Sequence, residues 1–370
     1  MESIKAFLDE PTMKQLDHWR GTRKPAVSRH EAIQLLLKDS LSVYSKEIVR
    51  QGRRIKLQLP DPVHLGAIYA LEQVHGFGPV KFRTMVEQRV VPRDVLENPS
   101  QLSLPGVVGT RIVQAIESLP NSTIVNCMDR AHRQVEVAQS HSASILVIGD
   151  ADYPKRIYDH NPVPVLYIRG DTSILHAANT TAVVGSRDIR EPYLSQTIML
   201  TQTLAEVERV HVSGFALGAD SVGHEAVVNV GGKTICVMPC GIDRLFPPEN
   251  RALREKLLVD PNVVFVSEFG FGQGASTLRL RKRNKLIVAL ADEVFVAQST
   301  LNGGAMNAYR FSLEQRKPVG TFRSDLTEET EGNALIESDG ENTQRGGISF
   351  DLDERVSHYI KCNKQVSSLI

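Results

Sequence analysis

The chain has 370 residues, 41% hydrophobic and 23% charged, which is enough to bury a sizeable core and, at this length, to hold more than one domain. Its 43 Lys and Arg balance 43 Asp and Glu, so any affinity for a polyanion has to come from local patches and not from bulk charge. No apolar run approaches a membrane span and the N-terminus lacks the apolar core of a signal peptide, so a cytoplasmic protein without membrane contact is expected. The four cysteines, at 127, 236, 240 and 361, have no paired metal-ligand spacing and read as reduced core thiols, so no metal is expected.

In chain order, residues 1–48 form a module of their own. Ile4, Ala6 and Leu8 alternate with Ser3, Lys5 and Phe7 as in a strand, a helical pattern runs through Met13, Leu16 and Trp19, and Ser28 with Glu31 fits a capping box opening a second helix. With Ser28-Arg29-His30-Glu31-Ala32-Ile33, this is similar to ribbon-helix-helix DNA-binding domains. That likeness implies pairing with a second copy and makes Ser3, Lys5, Phe7 and Arg29 candidate contacts to duplex DNA. An appendage used for dimerisation alone stays open beside it, because Phe7 reads bases poorly and Lys5 is a lone cation. Residues 49–62, with Arg50, Arg53, Arg54 and Lys56 and then Pro60 and Pro62, read as a basic linker.

Residues 63–143 are helical in pattern, broken at His75-Gly76-Phe77-Gly78 and Pro105-Gly106-Val107-Val108-Gly109. Both breaks precede helix formers with basic side chains, Lys81 and Arg83 in one case and Arg111 in the other, and the pair resembles helix-hairpin-helix (SAM-like) domains. Such glycine turns can present N–H groups to a phosphate or simply end helices. Phe77, Val107 and Val108 are expected to pack in either case, and a helical link closes this region.

Residues 144–324 alternate short β-branched runs with helical ones. Ala182-Val183-Val184, Val210 to Ser213, Thr234 to Met238, Val263 to Val266 and Glu293 to Ala297 suit strands buried on both faces, and the segments between them are long enough for crossover helices. The fold class is therefore α/β, a doubly wound parallel sheet. Gly185-Ser186-Arg187 follows one strand and precedes a helix, where free N–H groups and the helix dipole favour an anion. Ser213-Gly214, Pro239-Cys240-Gly241, Ser267-Glu268 and Gln298-Ser299 follow the other strands, so several loops converge on one crevice. Arg279-Leu280-Arg281-Lys282-Arg283-Asn284-Lys285 adds five cations in seven residues, a pattern suited to salt-sensitive phosphate binding.

Val184 to Arg187, Ser213-Gly214-Phe215-Ala216-Leu217-Gly218-Ala219-Asp220, His224, Cys240 to Asp243, Phe246-Pro247, Ser267-Glu268 and Arg283-Asn284-Lys285 together resemble the DprA/Smf family of DNA-processing proteins. Asp152-Tyr153-Pro154 and Pro164 to Gly170 extend the resemblance to about 145–325. It implies an extended Rossmann-like fold, no catalysis and no cofactor. It also implies single-stranded DNA as ligand, a homodimer or larger assembly, and delivery of DNA to the RecA recombinase. Candidate DNA or phosphate contacts are Gly185, Ser186, Arg187, Ser213, Gly214, Gly241, Arg279, Arg281, Lys282, Arg283, Asn284, Lys285, Gly303 and Gly304. Arg187 and Arg283 are expected on one face, with charge reversal at either leaving the fold intact, and Lys317 is expected to be an inert control. Asp220 is read as a helix N-cap and His224 as a crevice or packing residue.

The chain departs from the family pattern at Phe246-Pro247-Pro248, where relatives often carry a lysine, and at Asn302-Gly303-Gly304, where they carry Ser-Gly-Ser or Ser-Gly-Thr. Related nucleotide hydrolases place a glutamate after their late paired glycines, which Ala305 to Tyr309 lack. A nucleotide-sensing or nucleotide-hydrolysing protein is the alternative reading, and a transcriptional regulator led by the N-terminal ribbon a third. From 325 to 370 the chain turns acidic and is expected to form a partly flexible tail, with one short helical candidate near 352–360 and too few residues for a winged helix.

Overall fold

The computed structural model describes residues 47–50, 53–343 and 348–350, so Ser3, Lys5, Phe7, Arg29 and the helical candidate near 352–360 lie outside the described residues. The stretch read as a basic linker instead begins with an antiparallel hairpin, β1 (Glu47–Arg50) and β2 (Arg53–Lys56), in which Ile48 pairs with Ile55. Gln58 then accepts a bond from the Ile145 N–H at 2.8 Å and ties the chain to the edge of the main sheet.

Five helices follow: α1 (Pro62–Glu72), α2 (Pro79–Glu87), α3 (Pro92–Glu97), α4 (Gly106–Glu117) and α5 (Asn121–Ser140). Asp61 caps α1 by accepting from the Val63 N–H at 2.9 Å, and Pro62 sits at the first helical position, where its missing N–H costs nothing. Phe77 packs edge-on against Phe82 with centroids 5.0 Å apart. Val107 and Val108 do not pack: they are 69% and 63% exposed. The helical period explains the difference, because Gly109, Ile112 and Ile116 form the inward stripe of α4 and leave its first turn facing solvent.

The main sheet begins with β3 (Ser144–Val147), helix α6 (Lys155–His160) and β4 (Val165–Arg169). The wound part follows as β5 (Thr180–Val184), α7 (Tyr193–Glu206), β6 (Val210–Ser213), α8 (Ala219–Asn229), β7 (Thr234–Val237), α9 (Arg251–Val259) and β8 (Val263–Ser267). It continues with α10 (Thr277–Leu290), β9 (Glu293–Val296), α11 (Ala305–Glu314), β10 (Val319–Phe322), α12 (Glu331–Thr343) and β11 (Ile348–Phe350). The nine strands lie in the order β11-β10-β9-β5-β6-β7-β8-β4-β3. From β11 to β8 neighbours are parallel, while β4 runs antiparallel to both β8 and β3.

Every residue of β5, β6, β7, β8, β9 and β10 is buried, which is why these segments read as continuous apolar runs and not as alternating ones. Helices α7 and α8 pack together on one face; α10 and α11 pair on the other. The chain steps outward from β5 through β6, β7 and β8, then returns to lay β9 on the opposite side of β5. That reversal is a topological switch point, and the loops after β5 and β9 must part there and open a crevice.

The acidic segment does not begin as a flexible tail at 325. A short turn at Glu328–Thr330 leads into α12, and the wholly buried Asn333 bonds Ala297 O, Thr321 Oγ1, Phe322 O and the Ser299 N–H at 2.8 to 3.1 Å. One amide thus satisfies polar groups at the ends of β9 and β10, which a sequence pattern of acids and glycines hides. Lys317 is likewise no inert control. Its buried ammonium donates to the carbonyls of Val288, Ala289 and Ala291, closing the C-terminus of α10, and burial lowers its pKa to about 8.

His211 of β6 and His224 of α8 are fully buried with rings 4.8 Å apart, and both Nδ1 atoms meet Thr234 Oγ1 of β7, at 2.9 and 2.7 Å. Burial lowers the His211 pKa to about 3, and burial, then His211 and Arg283, hold His224 well below its ordinary value. A depressed folded-state pKa contributes stability that is complete above the unfolded value of about 6.5 and is lost as pH falls toward the folded value. Melting temperature is therefore expected to fall between pH 6.5 and 4, and less steeply in His211→Leu; an equal slope in the variant would assign the acid sensitivity elsewhere.

Candidate nucleic-acid interface

The crevice at the switch point has a volume of about 790 Å³ and is bounded by the loop after β5, the start of α8, the first two turns of α10 and the loop from β9 into α11. Two glycines set its floor. A Cβ at Gly214 would lie 1.0 Å from Arg283 Nη1, so only glycine lets the guanidinium lie flat against that backbone. Gly218 has φ +71°, and a Cβ there would lie 2.3 Å from Ser186 O, so it lets α8 begin directly under the Gly185 turn.

Arg283 is 5% exposed and its Nη1 pairs with Asp220 Oδ2 at 3.3 Å. The same carboxylate oxygen accepts the N–H groups of Gly214 and Ala216 at 3.1 and 3.2 Å, while Gly218, and not Asp220, holds the cap position of α8. Burial pulls the Arg283 pKa down and Asp220 opposes that pull. Arg283 and Arg187 therefore share the crevice but not one surface: Arg283 forms its floor, and the exposed Arg187 stands at the rim. Reversing Arg283 would leave Asp220 facing a second buried acid, so the expectation that this change spares the fold does not hold. Arg283 Nε finds no partner among the described residues.

Ser276 caps α10 by accepting from the Arg279 N–H at 3.3 Å, which aims the first turn of that helix at the opening. Of the candidate contacts, Gly185, Ser186, Arg187, Arg281, Arg283, Asn284, Gly303 and Gly304 line the crevice. The others do not. Ser213 is buried and donates to Val183 O at 2.7 Å, Gly214 lies beneath Arg283, and Gly241 closes a turn onto Gln273 O at 2.8 Å. Arg279 turns away to lie 5.4 Å over the Phe269 ring and to donate to Gly274 O. Lys282 and Lys285 stand outside the lining, and their charge only partly offsets the burial that raises the Glu268 pKa to about 7.

Sequence reasoning missed Thr277, Leu278 and Leu280, which give the crevice an apolar side. Leu278 is 65% exposed, and a leucine one residue into a basic helix, off its apolar stripe, was the available signal. Asn284 donates to Gly304 O at 3.0 Å and couples α10 to the glycine pair before α11. Among the described residues no cluster of His, Cys, Asp or Glu could hold a metal ion, and no helix is long and apolar enough to cross a membrane.

An open, doubly wound sheet with a cation-bearing crevice at its switch point defines a Rossmann-like protein suited to anionic ligands. Within that class the chain belongs to the DNA recombination-mediator protein A family, whose model matches residues 144–344. It is 33% identical over 199 residues to Protein Smf of Borreliella burgdorferi, covering 52% of this chain and 61% of that one. A solved DNA processing protein A from Helicobacter pylori, described for its single-stranded DNA binding mode, is similar at 28% identity and TM-score 0.52 over 60% of this chain and 96% of that one. The X-ray structure of DprA from Streptococcus pneumoniae shares the fold at TM-score 0.57 and 23% identity, over 79% of this chain and 95% of that one. The chain spans about three fifths of the length of two curated Smf relatives it matches.

Because one carboxylate oxygen organises the 214–216 loop and neutralises Arg283, Asp220→Asn is expected to destabilise the fold by about 3–5 kcal/mol, the range for breaking a buried ion pair. Urea unfolding checks this, and a loss below about 1 kcal/mol would show that the pair is dispensable.

Proposed function

We propose that this chain is a non-enzymatic, single-stranded DNA-binding protein of DNA processing that takes the phosphate backbone in the crevice at the β5/β9 switch point. The observation that carries the reading is the joining of exposed Arg187 and Arg281 with floor residue Arg283 beside the Gly185-Ser186 turn and the start of α11. Exposed guanidiniums bind phosphate in two-pronged fashion, and helix N-termini add N–H donors without reading sequence. The apolar side at Leu278 and Leu280 offers unpaired bases a surface that duplex DNA would not present to it. The single-stranded DNA binding of the Helicobacter pylori relative supports the same ligand here.

Hydrolysis of a nucleotide fits less well. Among the described residues Asp220 is the one carboxylate lining the crevice, and it is committed to Arg283 and two backbone N–H groups. The family's description as a recombination mediator supports passage of the bound strand to a recombinase such as RecA, and the sequence patterns of residues 1–48 and of the helices of 62–140 support self-association and duplex contact as their roles.

Arg187→Glu and Arg281→Glu, both at exposed positions, are expected to weaken binding of an oligothymidylate at least tenfold without lowering melting temperature. Each is expected to flatten the log–log salt dependence by about 0.7, the release from one single-strand phosphate contact. Fluorescence anisotropy across a salt series measures both quantities. Parent-like binding by both folded variants would remove the crevice as the site, and tight binding of free nucleotides with none of the oligomer would favour the nucleotide reading.

A further inference from the structure

Arg190 lies three residues beyond Arg187 on the same loop, and that loop is held in place. Ser186 N–H bonds Gln298 O at 2.7 Å, Asp188 N–H bonds Ser186 Oγ at 3.1 Å, and Arg190 N–H bonds Gln298 Oε1 at 3.0 Å. The backbone of Arg190 is thus tethered to the strand end that forms the crevice wall. Its guanidinium, 60% exposed, faces two carboxylates: Asp188 at 3.3 Å and Glu329 at 3.1 Å.

Glu329 is fixed in its turn. The segment that carries it docks onto the back of the same wall, where Gly332 N–H bonds Ser299 O and Asn333 Oδ1 accepts from Ser299 N–H, each at 2.9 Å. From 325 to 339 this segment holds six carboxylates and no lysine or arginine. An acidic element therefore sits beside the cationic rim, and the Glu329 to Arg190 pair joins the two.

We propose that Arg190 is a further phosphate-binding cation of this crevice and that Glu329 holds it in reserve, so that a DNA strand must displace an intramolecular carboxylate to engage it. This rests on the single-stranded DNA reading above. Both partners are substantially exposed, so the pair contributes little to folding and is readily exchanged for a phosphate. A single phosphate competes poorly against two tethered carboxylates, whereas a polyanion already anchored at Arg187 and Arg281 presents its next phosphate at high effective concentration. The latch thereby favours strands over mononucleotides, which gives a charge-neutral chain a threshold against small anions.

The test uses the full chain, a fluorescent oligothymidylate and a potassium chloride series. Glu329→Gln is expected to raise affinity three- to tenfold at low salt and to steepen the log–log salt slope, with melting temperature unchanged. Arg190→Ala is expected to abolish that gain when combined with Glu329→Gln. Glu331→Gln, a neighbouring acid with no ion pair to Arg190, is expected to change affinity less than twofold. An unchanged affinity in Glu329→Gln, persistence of its gain without Arg190, or an equal gain from Glu331→Gln overturns the latch while leaving the crevice reading standing. A parent chain that binds no oligothymidylate overturns both.

Discussion

The buried pair of Asp220 and Arg283 is the interaction on which the rest of the site depends. It joins α8 from one face of the sheet to α10 from the other, across the ends of the strands, and through Gly214 and Ala216 it also shapes the loop after β6. A guanidinium in this position loses its hydration, and one carboxylate restores the charge balance while its remaining capacity goes to backbone N–H groups. Gly214 and Gly218 follow from the same constraint, since a side chain at either place would collide with the guanidinium or with the turn after β5. The crevice is in this sense built around a neutralised cation, and the cations able to meet a ligand are those further out.

That layering reconciles a net charge of zero with the proposed polyanion site. The basic run of α10 divides by helical geometry: Arg281 opens to the crevice, Arg283 is sealed under it, and Lys282 and Lys285 stand outside the crevice lining. Beside the loop that carries Arg187, the turn before α12 brings the Glu329 carboxylate to Arg190. Among the described residues the exposed arginines lining the opening are Arg187 and Arg281, a local charge that a zero net charge does not cancel.

The parallel strands were legible because burial on both faces demands β-branched residues throughout, and the crevice was legible because glycine and polar residues follow those strands one after another. The division of labour within Arg279 to Lys285 was not, since seven residues cover two helical turns and point in every direction, and only the packed sheet decides which side is interior. The same limit hid Lys317, whose ammonium is buried because α10 ends above it, and Asn333, whose amide bridges two strand ends far away in sequence. Val107 and Val108 erred in the opposite sense: an apolar pair promised packing, and the helix phase turned it outward.

We propose that single-stranded DNA lies in the crevice at the β5/β9 switch point. The most direct measurement is photocrosslinking of a thymidine-analogue oligonucleotide to the full chain, followed by peptide mapping. Crosslinks are expected within 185–190, 277–285 and 299–307. Crosslinks confined to residues 1–56 or to the helices of 62–140, with none in those three segments, would contradict it.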